Sequence, residues 1–122
     1  MVSRSGPERR SPLKPDLFQV LLALSDTDRH GYGIVKEVDR ATGGALRLAP
    51  SPLYRRLRKL IDTGIVRMVD EEVYDGDDSR RRYYRLTERG RELLAAEARR
   101  LVGLAEDERI RGLALEAGAS SV

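Results

Sequence analysis

Residues 51–61 read Ser-Pro-Leu-Tyr-Arg-Arg-Leu-Arg-Lys-Leu-Ile, and this stretch decides the fold of the chain. Leu53, Leu57 and Leu60 fall at the spacing of one helical face, so they are predicted to pack against a core. The tyrosine and the basic residues between them are then forced onto or around the opposite face. The stretch therefore predicts a short helix that is anchored on one side and presents a basic surface on the other.

The segment after this helix predicts a β-hairpin followed by a long helix. Gly64 ends the basic helix, and residues 65–74 and 81–86 form two strands joined by an acidic loop that contains glycine. Thr87 is predicted to cap the next helix, which runs to about residue 105 or beyond. A basic helix beside a hairpin rich in arginine is how small proteins hold a DNA duplex at two adjacent grooves.

The segment before the basic helix supplies two more helices. Pro15 stands just inside the start of the first, and the second covers residues 32–42 and ends at two glycines. Residues 46–48 alternate and are predicted to be a short strand that joins the hairpin. This order is that of a winged helix-turn-helix: a mainly α fold with a small β-hairpin and a C-terminal dimerisation helix.

Composition divides the chain of 122 residues into four parts. They are a flexible basic arm (1–14), a winged helix-turn-helix DNA-binding domain (15–87), a C-terminal dimerisation helix (88–115) and a disordered tail (116–122). Basic charge is concentrated in the domain and its N-terminal flank, whereas residues 92–122 hold more acidic than basic side chains. This gradient is typical of a nucleic-acid face combined with a separate assembly face.

A heptad-like apolar seam on the C-terminal helix, together with the first helix, predicts a homodimer interface. The first helix is apolar over most of its circumference, as expected of a helix that is deeply buried or shared with a second subunit. The predicted dimerisation residues are Leu17, Leu21, Leu94, Ala98, Leu101, Val102 and Leu104. Phe18 and Leu22 lie off the main stripe and are candidates for a small-molecule effector pocket at that interface.

The residue counts argue against several classes of function. The chain has no cysteine and a single histidine, so it lacks thiol nucleophiles, disulfides and the usual multi-histidine metal site. It has no phosphate-cradling glycine loop and no apolar run long enough to span a membrane. We therefore expect a cytoplasmic protein that is not an enzyme and uses no metal or cofactor.

The aromatic side chains in and near the domain are interpreted as structural. His30, next to a glycine, is expected to form a hydrogen bond within a turn. Tyr32 is expected to pack between helices. Tyr83 and Tyr84 are expected to pack in the hairpin rather than to stack on single-stranded bases.

The predicted contacts to double-stranded DNA lie on the basic helix and on the second strand of the hairpin. Ser51 is predicted to be the N-cap of the helix and Pro52 its first-turn proline. Strand alternation sends Arg81 to one face of the hairpin and Arg80 and Arg82 to the other, which is taken as the DNA side. The predicted DNA-binding residues are Ser51, Pro52, Tyr54, Arg55, Arg58, Lys59, Arg80 and Arg82.

Three motifs occur in one order along the chain. They are His30-Gly31-Tyr32-Gly33-Ile34, then Pro50-x-x-Leu53-Tyr54-x-x-Leu57-x-x-Leu60 with Gly64-Ile65, and finally Arg81-Arg82-Tyr83-Tyr84-Arg85-Leu86-Thr87-x-x-Gly90. In this order and spacing the chain resembles the PadR family of bacterial transcriptional regulators, over roughly residues 17–104. The region after the hairpin is similar to the short form of the family, which has a single long C-terminal helix.

The resemblance implies a homodimer whose third helix enters the major groove and whose wing approaches the minor groove or the backbone. Members usually repress, and some release DNA when a small aromatic or amphipathic compound binds near the dimer interface. One departure is Pro52, where the family often has a small hydroxyl residue. A second is the acidic wing tip of Asp75, Asp77 and Asp78, so we expect the wing arginines to meet the backbone rather than enter the minor groove.

The sequence thus leads to a homodimeric repressor that binds a pseudo-palindromic operator, with a small-molecule effector as a further hypothesis. The alternative is a winged helix used as a protein-interaction module, whose basic face contacts an acidic partner. The operator, the regulated gene, the effector and the sign of regulation cannot be read from the sequence, because motifs for binding DNA do not say what binding accomplishes.

Overall fold

The structure, a computed structural model, describes residues 12–70 and 82–120. Within these ranges the chain forms five helices and a three-stranded antiparallel sheet. The elements are α1 (Pro15–Ala23), β1 (Arg29–His30), α2 (Gly31–Ala41), α3 (Pro50–Asp62), β2 (Val66–Asp70), β3 (Arg82–Leu86), α4 (Glu88–Ala105) and α5 (Glu108–Ser120). The predicted winged helix-turn-helix is confirmed. None of the helices in the described ranges is both long and apolar enough to cross a membrane.

Local hydrogen bonds and prolines fix where the helices begin. The Thr87 hydroxyl accepts a hydrogen bond from the Gly90 N–H at 3.0 Å at the start of α4, which confirms the predicted cap. The predicted N-cap at Ser51 is wrong, because α3 already begins at Pro50. The fixed φ and missing N–H of that proline suit the first helical position, so Ser51 and Pro52 lie inside the first turn.

The sheet is built around β3, which pairs antiparallel with β1 on one side and with β2 on the other. The β2–β3 pair is the predicted hairpin, with Val66 opposite Leu86. The predicted strand over residues 46–48 is wrong, because β1 occupies that edge of the sheet instead. Leu46 donates its N–H to the Thr42 hydroxyl at 3.1 Å, so this segment is bonded to the end of α2 rather than to a strand.

The core lies between the first three helices, the inner face of the sheet and the first half of α4. The apolar stripe predicted on α3 is confirmed, since its three leucines are buried. Leu21 on α1 and Leu94 on α4 are also buried in this core, at 0% and 6% exposure. The prediction that these two residues form a dimer interface is therefore wrong. Apolar spacing is similar whether a stripe faces a core or a second subunit, which explains the error.

A close backbone approach at Gly90 anchors α4 to the rest of the domain. Thr87 donates its N–H to the Ile65 carbonyl at 3.1 Å, and a Cβ at Gly90 would collide with that same oxygen. Because glycine has no Cβ, the first turn of α4 can pack directly on the chain that links α3 to β2. This contact sets the direction in which α4 leaves the domain.

The C-terminal region is two helices, not the single helix predicted over residues 88–115. The Asp107 carboxylate accepts a hydrogen bond from the Arg109 N–H at 2.8 Å, so it acts as a cap that starts α5 after a short break. Residues 116–120, predicted to be part of a disordered tail, are helical. Most of the predicted basic arm, residues 1–11, lies outside the described residues.

Candidate nucleic-acid interface

The outer face of α3 is basic and exposed. Leu53, Leu57 and Leu60 face the core at 3%, 1% and 7% exposure, which turns the residues between them outward. The exposed predicted contacts on α3 are Ser51, Pro52, Tyr54, Arg55, Arg58 and Lys59. The structure thus places all the predicted DNA contacts of this helix on its solvent side.

A groove of about 970 Å³ lies between α2, α3 and the sheet, and we call it the wing groove. It is lined by His30, Gly31, Tyr32, Gly33, Lys36, Tyr54, Arg58, Ile61, Met68, Arg82 and Tyr84. The groove brings Arg82 of β3 together with Tyr54 and Arg58 of α3, three residues that the sequence selected as DNA contacts. Among the described residues, its lining contains three cations and no carboxylate, an arrangement that favours an anion.

Alternation along β3 decides which of its side chains reach this groove. Arg82 and Tyr84 lie on the inner face of the sheet, whereas Tyr83 and Arg85 lie on the outer face. Tyr84 is 8% exposed, and burial raises the pKa of its hydroxyl, so its predicted packing role is confirmed. Tyr83 packs edge to face against the His30 ring, with 5.3 Å between the ring centroids.

Arg85 is bound within the protein. Its Nη2 donates to Asp28 Oδ2 at 2.7 Å and its Nε donates to Asp28 Oδ1 at 3.0 Å. These hydrogen bonds hold the pKa of the Asp28 carboxyl below its ordinary value. The pair ties the loop before β1 to β3 and so holds the wing strand against the body of the domain.

His30 links the sheet to α2. Its Nδ1 accepts a hydrogen bond from the Gly33 N–H at 3.0 Å, which confirms the hydrogen bond expected at this turn. Tyr54 lies directly against the next residue, Gly31, where an added Cβ would overlap the tyrosine ring. The start of α2 and the outer face of α3 are therefore in direct contact at the floor of the wing groove.

A second groove, which we call the α1 groove, lies beside α1 and the N-terminal part of α3 and holds about 790 Å³. It is lined by Lys14, Asp16, Leu48, Ala49, Pro52, Leu53, Arg55, Arg56, Arg58 and Lys59. Arg56 donates from Nη2 to Asp16 Oδ2 at 3.0 Å, so this arginine of α3 is bound to α1. Sequence reasoning gave Arg56 no role, since a contact between residues so far apart leaves no local signal.

Tyr32 and Lys36 also line the wing groove, although the sequence did not predict them there. Tyr32 is 63% exposed, so the prediction that it packs between helices is wrong. The Lys36 ammonium lies 5.5 Å from the centre of the Tyr32 ring. Helical spacing was the available signal: Ile34 and Val38 are buried, which turns positions 32 and 36 outward.

Part of the predicted interface lies outside the described residues. This part comprises Arg80 and the acidic wing tip of Asp75, Asp77 and Asp78. Among residues 12–70 and 82–120, no group of His, Cys, Asp and Glu side chains is arranged to hold a metal ion. The described interface consists of side-chain cations, hydroxyls and aromatic rings, a set that binds anions by charge and hydrogen bonding.

The sequence that builds this fold matches a known protein family. The sequence model of the transcriptional regulator PadR-like family matches residues 20–96, which include every residue of the wing groove. The chain belongs to the PadR-like family. Its members are transcriptional regulators, a class of proteins that in general are not enzymes.

Two relatives of this PadR-like chain are uncharacterised proteins. An uncharacterised 37.1 kDa protein in transposon Tn4556 of Streptomyces fradiae is 38% identical over 85 residues, which are 70% of this chain and 22% of that protein. Uncharacterised protein X of Lysinibacillus sphaericus is 28% identical over 76 residues, which are 62% of this chain and 68% of that protein. The chain thus spans about a fifth of the length of the Streptomyces relative.

Solved structures of PadR-type regulators share this fold. Bacillus subtilis PadR in complex with operator DNA aligns at a TM-score of 0.58 and 23% identity, covering 70% of this chain and 47% of PadR. A PadR family regulator from Clostridium difficile aligns at 0.60 and 19% identity, covering 80% and 97% of the two chains. A transcriptional regulator from Clostridium thermocellum aligns at a TM-score of 0.59 and 22% identity, covering 77% of this chain and 92% of that regulator. At these identities the likeness establishes the fold.

The two C-terminal helices of this PadR-like chain leave apolar side chains exposed. On α4 the exposed predicted seam residues are Ala98, Leu101, Val102 and Leu104. α5 adds Ile110, Leu113 and Leu115, at 42%, 63% and 75% exposure. On α1, Leu17 and Phe18 are half-buried against the core, and Leu22 is 40% exposed. These residues form the apolar surface that is still available for a partner.

Proposed function

We propose that this PadR-like protein binds operator DNA by inserting α3 into the major groove. The observation that carries the proposal is the exposed basic face of α3 beside the cationic wing groove. Arginine can bond bidentately to a guanine edge, and tyrosine and lysine most often hold phosphates. Arg55 and Arg58 are therefore the leading base-reading candidates. Tyr54, Lys59 and Arg82 hold the backbone on either side. Bacillus subtilis PadR, which shares the fold, has been solved in complex with operator DNA, and this supports DNA binding by the present chain.

The proposed regulator is a homodimer. The exposed apolar residues at the C-terminal end of α4 and on α5 supply the main contact. Leu17 of α1, which is half-buried against the core, is a further proposed contact. A two-fold dimer recognises a pseudo-palindromic operator, whose half-site centres lie about one helical turn apart, ~34 Å. In this role the protein works in the cytoplasm.

Repression is the sign of regulation that the family resemblance favours, because a dimer seated on an operator excludes other proteins from it. We extend the proposal to release of DNA by a small aromatic or amphipathic effector. Leu22 and Phe18 on α1 offer the apolar surface that such a compound needs, next to the proposed dimer contact. The test adds a panel of aromatic and cationic compounds to the protein. We expect at least one compound to shift the melting temperature of the protein and to lower its affinity for DNA. A panel that changes neither would count against an effector at this site.

The experiment that tests DNA binding is selection of bound duplexes from a random pool, followed by sequencing. Recovery of an inverted repeat is the expected outcome, because only a symmetric dimer with a reading helix selects one. Recovery of no enriched sequence would overturn the proposal and favour the alternative, a basic face that binds an acidic protein partner.

A further inference from the structure

We propose that the wing groove seats one phosphate of the DNA backbone, held from α2 by Tyr32 and Lys36. This inference rests on the proposed function and adds a second contact surface to it, since neither residue lies on α3 or on the wing. The ligand is a phosphate diester within duplex DNA.

The acidic residues of α2 have other partners, which leaves the positive charge of Lys36 available to a ligand. Glu37 pairs with Arg40 at 2.6 Å and lies 3.9 Å from Arg29. Asp39 lies 3.5 Å from Arg47. Lys36 forms no ion pair within residues 12–70 and 82–120, and no carboxylate from these ranges lines the groove.

Tyr32 is held in place at the rim of the groove. Its ring stacks on that of His30, with centroids 6.5 Å apart and planes 2° from parallel, and the Lys36 ammonium lies on the same ring. A 63% exposed tyrosine that is fixed in this way offers its hydroxyl to solvent or to a ligand. Tyrosine hydroxyls and lysine ammonium groups are among the common donors to DNA phosphates.

The position of α2 explains why the ligand is a backbone phosphate. In helix-turn-helix proteins the second helix of the motif lies in the major groove while the first crosses the backbone. α2 contacts α3 at Gly31 and Tyr54, so DNA that receives α3 brings one strand across the start of α2. Arg82 closes the other side of the groove, so the phosphate lies between cations from two elements.

The test is the salt dependence of binding to the selected operator duplex. Lys36→Gln removes one phosphate contact, so the slope of log Kobs against log salt becomes shallower by about 1 unit, and affinity at 0.15 M salt falls about fivefold. Tyr32→Phe keeps the ring and removes only the hydroxyl, so affinity falls about fivefold while the slope is unchanged. The matched control is Arg40→Gln, one turn further along α2 and outside the groove, which should leave both quantities unchanged.

Neutral methylphosphonate linkages, placed one at a time along a half-site, identify the phosphate that lies in the wing groove. At one position the substitution weakens binding of the wild-type protein but has no further effect on Lys36→Gln, because the contact is already absent. Two results would overturn this inference and leave the proposed function intact. One is that Lys36→Gln binds the operator with the wild-type slope of log Kobs against log salt. The other is that every methylphosphonate linkage weakens binding of Lys36→Gln as much as it weakens binding of the wild-type protein. Failure of the wild-type protein to bind any duplex would overturn both.

Discussion

α3 and α5 each have 13 residues, yet they differ in how the chain covers their apolar side chains. On α3 the three core leucines are at most 7% exposed, whereas Leu113 and Leu115 on α5 are 63% and 75% exposed. An isolated helix of this length is marginally stable in water. α5 therefore needs a covering surface that the described part of one chain does not supply, while α3 is anchored and can use its outer face for a ligand.

α3 and α5 also differ in charge. Between its leucines α3 carries three arginines and a lysine, and the sheet beside it adds another cation at Arg82. α5 has two arginines and two glutamates, so its charges balance around an apolar centre. The cationic helix suits a polyanion and the apolar helix suits another protein surface. The proposed DNA contact and the proposed assembly contact thus use different helices.

The largest expected effect is on folding, from Leu57→Ala on α3. Leu57 is 1% exposed, and a cavity in its place should lower the free energy of unfolding by about 2–5 kcal/mol, measured by urea denaturation. Leu113→Ala on α5 is the matched variant. At a protein concentration low enough to keep the chain monomeric it should change stability by less than about 0.5 kcal/mol. Equal losses in the free energy of unfolding of the two variants would contradict the difference in burial between α3 and α5.

The next effect is on DNA affinity. Reversing two charges on α3, Arg55→Glu with Arg58→Glu, should weaken binding to the selected operator about 100-fold or more, because both arginines lie on the exposed face that we propose enters the major groove. Circular dichroism should show an unchanged fold, since both side chains are exposed. The control makes the same reversal at Arg99 and Arg111, which are exposed on α4 and α5. It should preserve most of the affinity at a protein concentration at which sedimentation shows that the variant is still a dimer. Retained binding by the α3 variant would show that this helix does not read DNA.

A smaller effect is expected on assembly. Leu113→Ala should raise the dissociation constant of the dimer about tenfold, because each subunit loses part of a buried leucine at the contact. Sedimentation measured over a range of protein concentrations gives this constant directly. An unchanged constant would mean that α5 lies outside the dimer contact, and the exposed end of α4 would then be tested in the same way through Val102→Ala.

The sequence predicted those parts of the fold and site that depend on local periodicity. The leucines of α3, the cap at Thr87 and the outward position of Arg58 all follow from spacing within a few residues. β1 could not be predicted, because two residues form a strand only through pairing with β3. Arg56 was missed for a similar reason, since its partner Asp16 is distant in sequence.

The C-terminal helices show a different limit of sequence reasoning. Leu94 and Leu101 fall on one heptad-like seam, yet Leu94 is 6% exposed and Leu101 is 36% exposed. The seam passes from the core of the domain to its surface within two turns of α4, where the body of the domain ends. Periodicity records which side of a helix is apolar. It does not record how far the neighbouring elements extend along that side.

The smallest expected effect concerns the ion pair that holds the wing strand to the domain. Because hydrogen bonding to Arg85 places the pKa of Asp28 below its ordinary value of 3.8, the folded chain holds this carboxyl ionised at pH values where the unfolded chain begins to protonate it. The stability from this pair is therefore present above the unfolded pKa and is lost as the pH falls toward the folded one. The two side chains are 44% and 22% exposed, so solvent screening limits the contribution to about 0.5–1 kcal/mol.

Urea denaturation of the wild type and of Asp28→Asn at pH 7, 4.5 and 3.5 measures this contribution. The wild type should be more stable at pH 7, and the difference should narrow as the pH approaches 3.5. Asp62→Asn is the control, since Asp62 is exposed at the end of α3 and forms no ion pair with the described residues. A difference for Asp28→Asn that stays constant over this range would mean that the substitution acts through packing or hydrogen bonding rather than through the charge of the carboxylate.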